Sequence, residues 1–146
     1  MPGRIGGYRQ LRNGLEYEFR RAQRYDHPLS AILLAVAGYD EVLEKEGRKE
    51  AAVMISEMVV VMRECLRSVD RLYRIGKDQF IVVLPETSNE GARKALERLA
   101  DKLRNPERKE FRPIEVVGKV VSFPDGEIQS AGDMLMKLGQ ERKPQR

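Results

Sequence analysis

The sequence predicts an α/β fold, a mixed central β-sheet flanked by helices, and three observations carry that prediction. Segments whose apolar residues recur every three or four positions alternate with short, almost continuous apolar runs; the first pattern makes an amphipathic helix and the second a strand covered on both faces. Clusters of Gly, Pro and Asp mark the changes from one pattern to the other. Only Gly76-Lys77-Asp78-Gln79 separates the apolar runs Leu72-Tyr73-Ile75 and Phe80-Ile81-Val82-Val83-Leu84, so these two runs are expected to fold back as a β-hairpin.

Residues 1–7 read as an irregular leader. From Tyr8 to about Arg24, Leu11, Leu15, Phe19 and Ala22 lie on one side of a helix whose other side is basic. Asp26-His27-Pro28 turns the chain into Leu29–Ala37, an apolar run suited to a central strand. Asp40–Lys45 is a short helical segment ended by Gly47, and Lys49–Ser68 is the longest helix, with Ile55, Met58, Val59, Met62, Cys65, Leu66 and Val69 as its core stripe. Pro85 closes the second hairpin strand because it has no N–H for a ladder. Ser88 or Asn89 caps a helix through Ala92, Ala95, Leu96 and Leu99 to about Leu103. Residues from Pro113 to Phe123 read as one strand or a pair, Ser130–Gln140 as a final helix, and residues 141–146 as a frayed tail.

A chain of 146 residues fits one domain, residues 1–146, and is long enough to bury a real core. With 41% hydrophobic and 34% charged residues it has the composition of a soluble globular domain, and no apolar run approaches the roughly 20 residues of a membrane span. No membrane association is expected. The start MPGRIGGYRQ lacks an apolar export core, which gives a cytoplasmic expectation. One cysteine, Cys65, makes no internal disulfide and is expected as a buried thiol; the lone His27 has no partner ligand for zinc and is expected at the surface. A net charge of +4 suits an anionic partner. Most basic residues alternate with acids on helical segments, so duplex nucleic acid is not the expected partner.

The hairpin sequence resembles the signature region of GGDEF domains, the diguanylate cyclase family. Gly76-Lys77-Asp78-Gln79-Phe80 stands at the naming motif, preceded by Arg74-Ile75 and followed by IVVLPET, both similar to the family. The resemblance covers roughly Leu11 to Gly139 and implies a nucleotide-cyclase-like sandwich. It also exposes departures. Lys77 replaces the second glycine and Gln79 the second carboxylate of the motif. Gly3–Tyr8 replaces the family's usual segment ahead of the first helix.

Joining two nucleoside triphosphates requires divalent metal to neutralise phosphate charge, and magnesium takes hard oxygen ligands. The resemblance implies strand aspartates at the positions of Ala35 and Ala37 and two acids in the hairpin, where only Asp78 is one. The asparagine and aspartate implied for guanine binding fall at Leu43 and Ala52. On these departures the chain reads as a catalytically degenerate member, not an enzyme, with no metal or cofactor.

Arg67-Ser68-Val69-Asp70 resembles the family's Arg-x-x-Asp inhibitory site for cyclic di-GMP, in pattern and in its distance from the hairpin, and Arg98 falls at the matching place of a further arginine. The chemistry is suitable: a guanidinium fork bonds the O6 and N7 edge of guanine or a phosphate, and a carboxylate accepts from N1–H and the 2-amino group. The expectation is therefore a non-catalytic signalling domain receiving cyclic di-GMP through Arg67, Asp70 and Arg98. The alternatives are a protein-interaction or dimerisation module that binds no nucleotide, and a GTP-binding regulatory domain using Lys77 and Asp78. A homodimer is among the assemblies expected, and the signalling partner is unnamed.

Overall fold

A computed structural model describes residues 5–139. The elements run α1 (Tyr8–Tyr25), β1 (Leu29–Val36), α2 (Tyr39–Glu46), α3 (Arg48–Cys65), β2 (Arg71–Arg74), β3 (Gln79–Pro85), α4 (Asn89–Arg104), β4 (Val116–Phe123) and α5 (Ala131–Lys137). The expected frayed tail and the first four residues of the leader lie outside the described residues. Gly6 of that leader bridges Tyr73.

The four strands form one sheet in the order β2-β3-β1-β4. All three pairings are antiparallel, which corrects the expectation of a mixed sheet. The helical crossover from β1 to β2 does leave those strands running the same way, but β3 inserts between them and pairs with both. The parallel pair that a crossover suggests is thereby split.

Two layers of helix cover the sheet. One face carries Ile32, Leu34, Phe80, Val82 and Leu84 against Met54, Ile55, Met58 and Met62 of α3 and Ala92, Leu99 and Leu103 of α4. The other carries Ala31, Ile81 and Val83 against Leu11, Leu15 and Phe19 of α1 and Met134 and Leu135 of α5. With both faces covered, β1 and β3 need apolar residues at nearly every position, and Phe80 to Leu84 are all buried. The α1 stripe is buried as its spacing predicts.

The α3 stripe is shorter than expected. The helix stops at Cys65, its cap Leu66 is extended, and Val69 is 50% exposed. Ser88 is the N-cap of α4, its hydroxyl accepting from the Gly91 N–H at 3.1 Å. Gly47, which ends α2 and begins α3, has φ 95° and ψ 173°, a conformation that only glycine adopts cheaply.

β4 is one strand at the sheet edge, not a pair. Gly118 on it permits close packing, because a Cβ there would lie 2.4 Å from Leu96 of α4. Among the described residues no helix is long and apolar enough to cross a membrane.

Candidate functional site

The seven residues of β3 separate two polar corners by about 20 Å. At its first end lies the hairpin turn. The Ile75 N–H donates to Gln79 O at 3.0 Å, and the Arg74 guanidinium donates to Gly76 O at 3.1 Å and to Lys77 O at 2.6 Å, so the turn is held by its own arginine. Asp78 O accepts from the Val36 N–H at 2.9 Å, which sets the turn against the end of β1. Phe80 is fully buried and anchors the hairpin in the core.

Lys77 does not point freely into solvent. Its Nζ lies 2.6 Å from Asp40 Oδ1 at the start of α2, and the bond pushes the Lys77 ammonium above its ordinary pKa. The ammonium also lies 5.8 Å from the Tyr39 ring centroid. Sequence reasoning missed Asp40, since nothing in the spacing of residues 40 and 77 pairs them; only the docking of α2 beside the hairpin does. Ala35 is half-buried, Ala37 exposed, Leu43 half-buried and Ala52 exposed. None of the four carries a polar side chain. Among the described residues no three Asp, Glu, His or Cys side chains converge with metal-binding geometry, so the donor set here, Asp78 with the lysine-bound Asp40, does not fit a divalent metal.

At the other end of β3, the chain leaves α3 at Leu66 and closes a turn in which the Asp70 N–H donates to Arg67 O at 3.1 Å. Asp70 folds back over this turn. Its Oδ2 accepts from the Arg67 backbone N–H at 2.8 Å, and its Oδ1 accepts from Arg67 Nε at 3.1 Å and Nη2 at 2.8 Å. Nη2 further donates to Pro85 O and Thr87 Oγ1, both at 2.9 Å. The Asp70 side chain is only 3% exposed, whereas that of Arg67 is 51% exposed. The bonds to Asp70 push the Arg67 guanidinium above its ordinary pKa, so it remains charged.

The pair sits in the turn after α3, which stops at Cys65 and not at the expected Ser68. Within this turn the Asp70 carboxylate accepts from the backbone and the guanidinium of Arg67.

Arg67 and Asp70 line a cleft of about 380 Å³ together with Arg63, Leu66, Ser68, Arg71 and Leu72. Arg63 and Arg71 were not anticipated, although an arginine on either side of Arg67 at helix-end spacing is a readable basic cluster. Arg71 Nη1 donates to Ser68 O at 2.8 Å and Asp70 O at 3.1 Å. The cleft is thus three cations to one buried carboxylate, over the apolar Leu66 and Leu72. Arg98 is exposed on α4 and lines a separate groove with Lys94, Glu97 and Asp101. Its charge reaches Cys65, the last residue of α3, where it offsets part of the upward push that burial gives the thiol. Cys65 is half-buried rather than buried. His27 is also half-buried, with Nδ1 3.9 Å from Glu86 Oε2.

The profile of the family described as "Diguanylate cyclase, GGDEF domain" matches residues 4–121. The chain belongs to the GGDEF family. Among curated relatives it is 29% identical over 80 residues to diguanylate cyclase DgcS of Shewanella oneidensis, covering 55% of this chain and 27% of that protein. It is 27% identical over 86 residues to diguanylate cyclase DosC of Escherichia coli, covering 59% and 19%. The chain therefore spans about a quarter or less of these relatives. The solved structure of the active GGEEF domain of a diguanylate cyclase from Vibrio cholerae superposes with a TM-score of 0.83 at 20% identity, over 94% of this chain and 88% of that one. The GGDEF domain of DgcB from Caulobacter crescentus, solved with c-di-GMP, gives 0.81 at 12% identity over 94% and 85%. At these identities the structures establish the fold, the expected cyclase-like sandwich.

The GGDEF relatives also overturn one expectation. Reading the chain as not an enzyme conflicts with their names, since DgcS and DosC are both diguanylate cyclases. That reading counted carboxylates by position along the chain, and chain position does not show which side chains the fold brings together at the hairpin, as the Lys77–Asp40 pair illustrates.

Proposed function

We propose that this GGDEF domain is a signalling module that binds cyclic di-GMP at the corner formed by Arg67, Asp70 and Arg98. The observation that carries the proposal is the cleft around Arg67: a guanidinium held by one buried carboxylate lines it together with Arg63 and Arg71. Guanidinium groups so placed favour a phosphate-bearing ligand. A volume of about 380 Å³ falls in the range of small-molecule sites, and Leu66 and Leu72 offer an apolar surface to a base.

The roles divide by chemistry. Asp70 fixes the Arg67 fork, which limits the rotamer entropy lost on binding. Arg67 Nη1 has no hydrogen bond among the described residues and presents its N–H groups to the ligand. Arg98, on the neighbouring helix, meets a ligand large enough to reach across from the cleft to α4. A related domain from Caulobacter crescentus has been solved with c-di-GMP, which supports the ligand class.

Thermal melts test this reading. A ligand at 100 times its Kd raises Tm by about 5–10 °C for a domain of this size. Cyclic di-GMP is expected to give such a shift in the wild type, and Arg67→Ala and Arg98→Ala are expected to remove it. GTP with magnesium is the parallel control. An absent shift, or one that survives Arg67→Ala, overturns the proposal.

A further inference from the structure

β1 is apolar at every position but one. Ser30 is the one polar residue wholly buried among the described residues, and it stands opposite Ser122 of β4. Its hydroxyl donates to Thr87 O at 2.7 Å and meets Ser122 Oγ at 2.7 Å, and Asn89 Nδ2 donates to Ser122 Oγ at 3.0 Å. A hydroxyl has one hydrogen to give. Because Ser30 gives its own to Thr87, Ser122 is the donor to Ser30, and the bonds run one way, from Asn89 through Ser122 and Ser30 to Thr87. Thr87 continues the pattern. Its hydroxyl donates to Pro85 O at 2.8 Å, which makes Oγ1 the acceptor in its bond with Arg67 Nη2. Between Pro85 and Thr87, Glu86 has φ 50°, a left-handed conformation uncommon outside glycine. Across that bend Pro85 O and Thr87 Oγ1 both meet one nitrogen of Arg67.

We propose that Thr87 is a positioning residue of the Arg67 cleft and that the buried Ser30 sets Thr87 in place. The inference rests on the reading of that cleft as a ligand site. Asp70 holds Arg67 from one side, through Nε and one N–H of Nη2. Thr87 Oγ1 and Pro85 O take the other N–H of Nη2. Gripped from both sides, the guanidinium plane is fixed, and Nη1 is the nitrogen left to a ligand. Hydrogen bonds that run in one direction polarise one another, and a buried chain of them specifies a single arrangement of its members. Ser30 thus acts on the cleft without touching it: it fixes the Thr87 backbone, Thr87 fixes the arginine, and the arginine meets the phosphate.

Two readouts test this. Without ligand, NMR of the nitrogen-labelled chain reports how fast the Arg67 Nε–H exchanges with water; with ligand, isothermal titration reports the Kd for cyclic di-GMP. Thr87→Val keeps the shape of the side chain and removes the hydroxyl. It is expected to speed the Nε–H exchange and to weaken binding, each by about three- to tenfold, as for the loss of one hydrogen bond. Thr87→Ser, which restores the hydroxyl, is expected to return both to the wild-type values. Ser30→Ala leaves Thr87 O without its donor and is expected to move both in the same direction as Thr87→Val. A Thr87→Val chain with both readouts unmoved, whatever its Tm, would make Thr87 a structural residue only and overturn the proposal, as would failure of Thr87→Ser to restore them. A wild type that binds no cyclic di-GMP would overturn the ligand reading instead, and the exchange rates, taken without ligand, would still decide whether Thr87 positions Arg67.

Discussion

At the Pro85 end of β3 a carboxylate that is 3% exposed accepts from a backbone N–H and from a guanidinium that also bonds Pro85 and Thr87. At the Gln79 end, Lys77 and Asp40 are 57% and 74% exposed and share one contact. Both are ion pairs at the rim of the same sheet, yet only the first is built into the backbone. An exposed pair is worth about 0–1 kcal/mol, whereas removing a buried acceptor strands its donors at the full cost of desolvation. The difference marks Arg67 as a rigid, pre-aimed cation and Lys77 as one that solvent or ligand exchanges easily.

Removing each carboxylate is the strongest way to break this contrast. Asp70→Ala is expected to lower stability by about 2–3 kcal/mol in urea unfolding, because it frees the Arg67 N–H and the guanidinium together. Asp40→Ala is expected to leave the unfolding midpoint unchanged. Equal effects would erase the distinction. Arg67→Ala is expected to cost less, about 1 kcal/mol, since its side chain is half exposed. Arg67→Lys is expected not to restore that loss, for an ammonium cannot reproduce the fork.

A smaller effect concerns the hairpin. Arg74 donates to the carbonyls of Gly76 and Lys77, so Arg74→Ala is expected to speed hydrogen exchange of the turn amides while the Asp70 turn keeps its protection. The smallest effect reads the α3–α4 side. Burial raises the Cys65 thiol while Arg98 and Lys102 pull it back, so its alkylation is expected to rise with a midpoint above the ordinary 9.0. Arg98→Ala is expected to move that midpoint further up; an unchanged midpoint would place Arg98 away from the end of α3.

The helices were legible because burial on one side writes a three- and four-residue period, as in Leu11, Leu15, Phe19 and Ala22, all buried. The hairpin was legible from its turn. Strand order was not, since local sequence is silent on whether β3 lies outside β2 or between it and β1. Val69 followed the helical period but fell beyond a helix that Asp70 had already ended by drawing the chain into a turn. At the site, the spacing of Arg67 and Asp70 found the pair but carried no sign of how deeply the carboxylate is buried. Lys77 with Asp40 was beyond reach, being thirty-seven residues apart in sequence.

The most direct test of the account is isothermal titration of the wild type, Arg67→Ala and Lys77→Ala with cyclic di-GMP. Binding by the wild type and by Lys77→Ala, with heat abolished in Arg67→Ala, is the result predicted from a pre-aimed arginine at one end of β3. Binding lost with Lys77→Ala and kept with Arg67→Ala would contradict it and place the ligand at the hairpin.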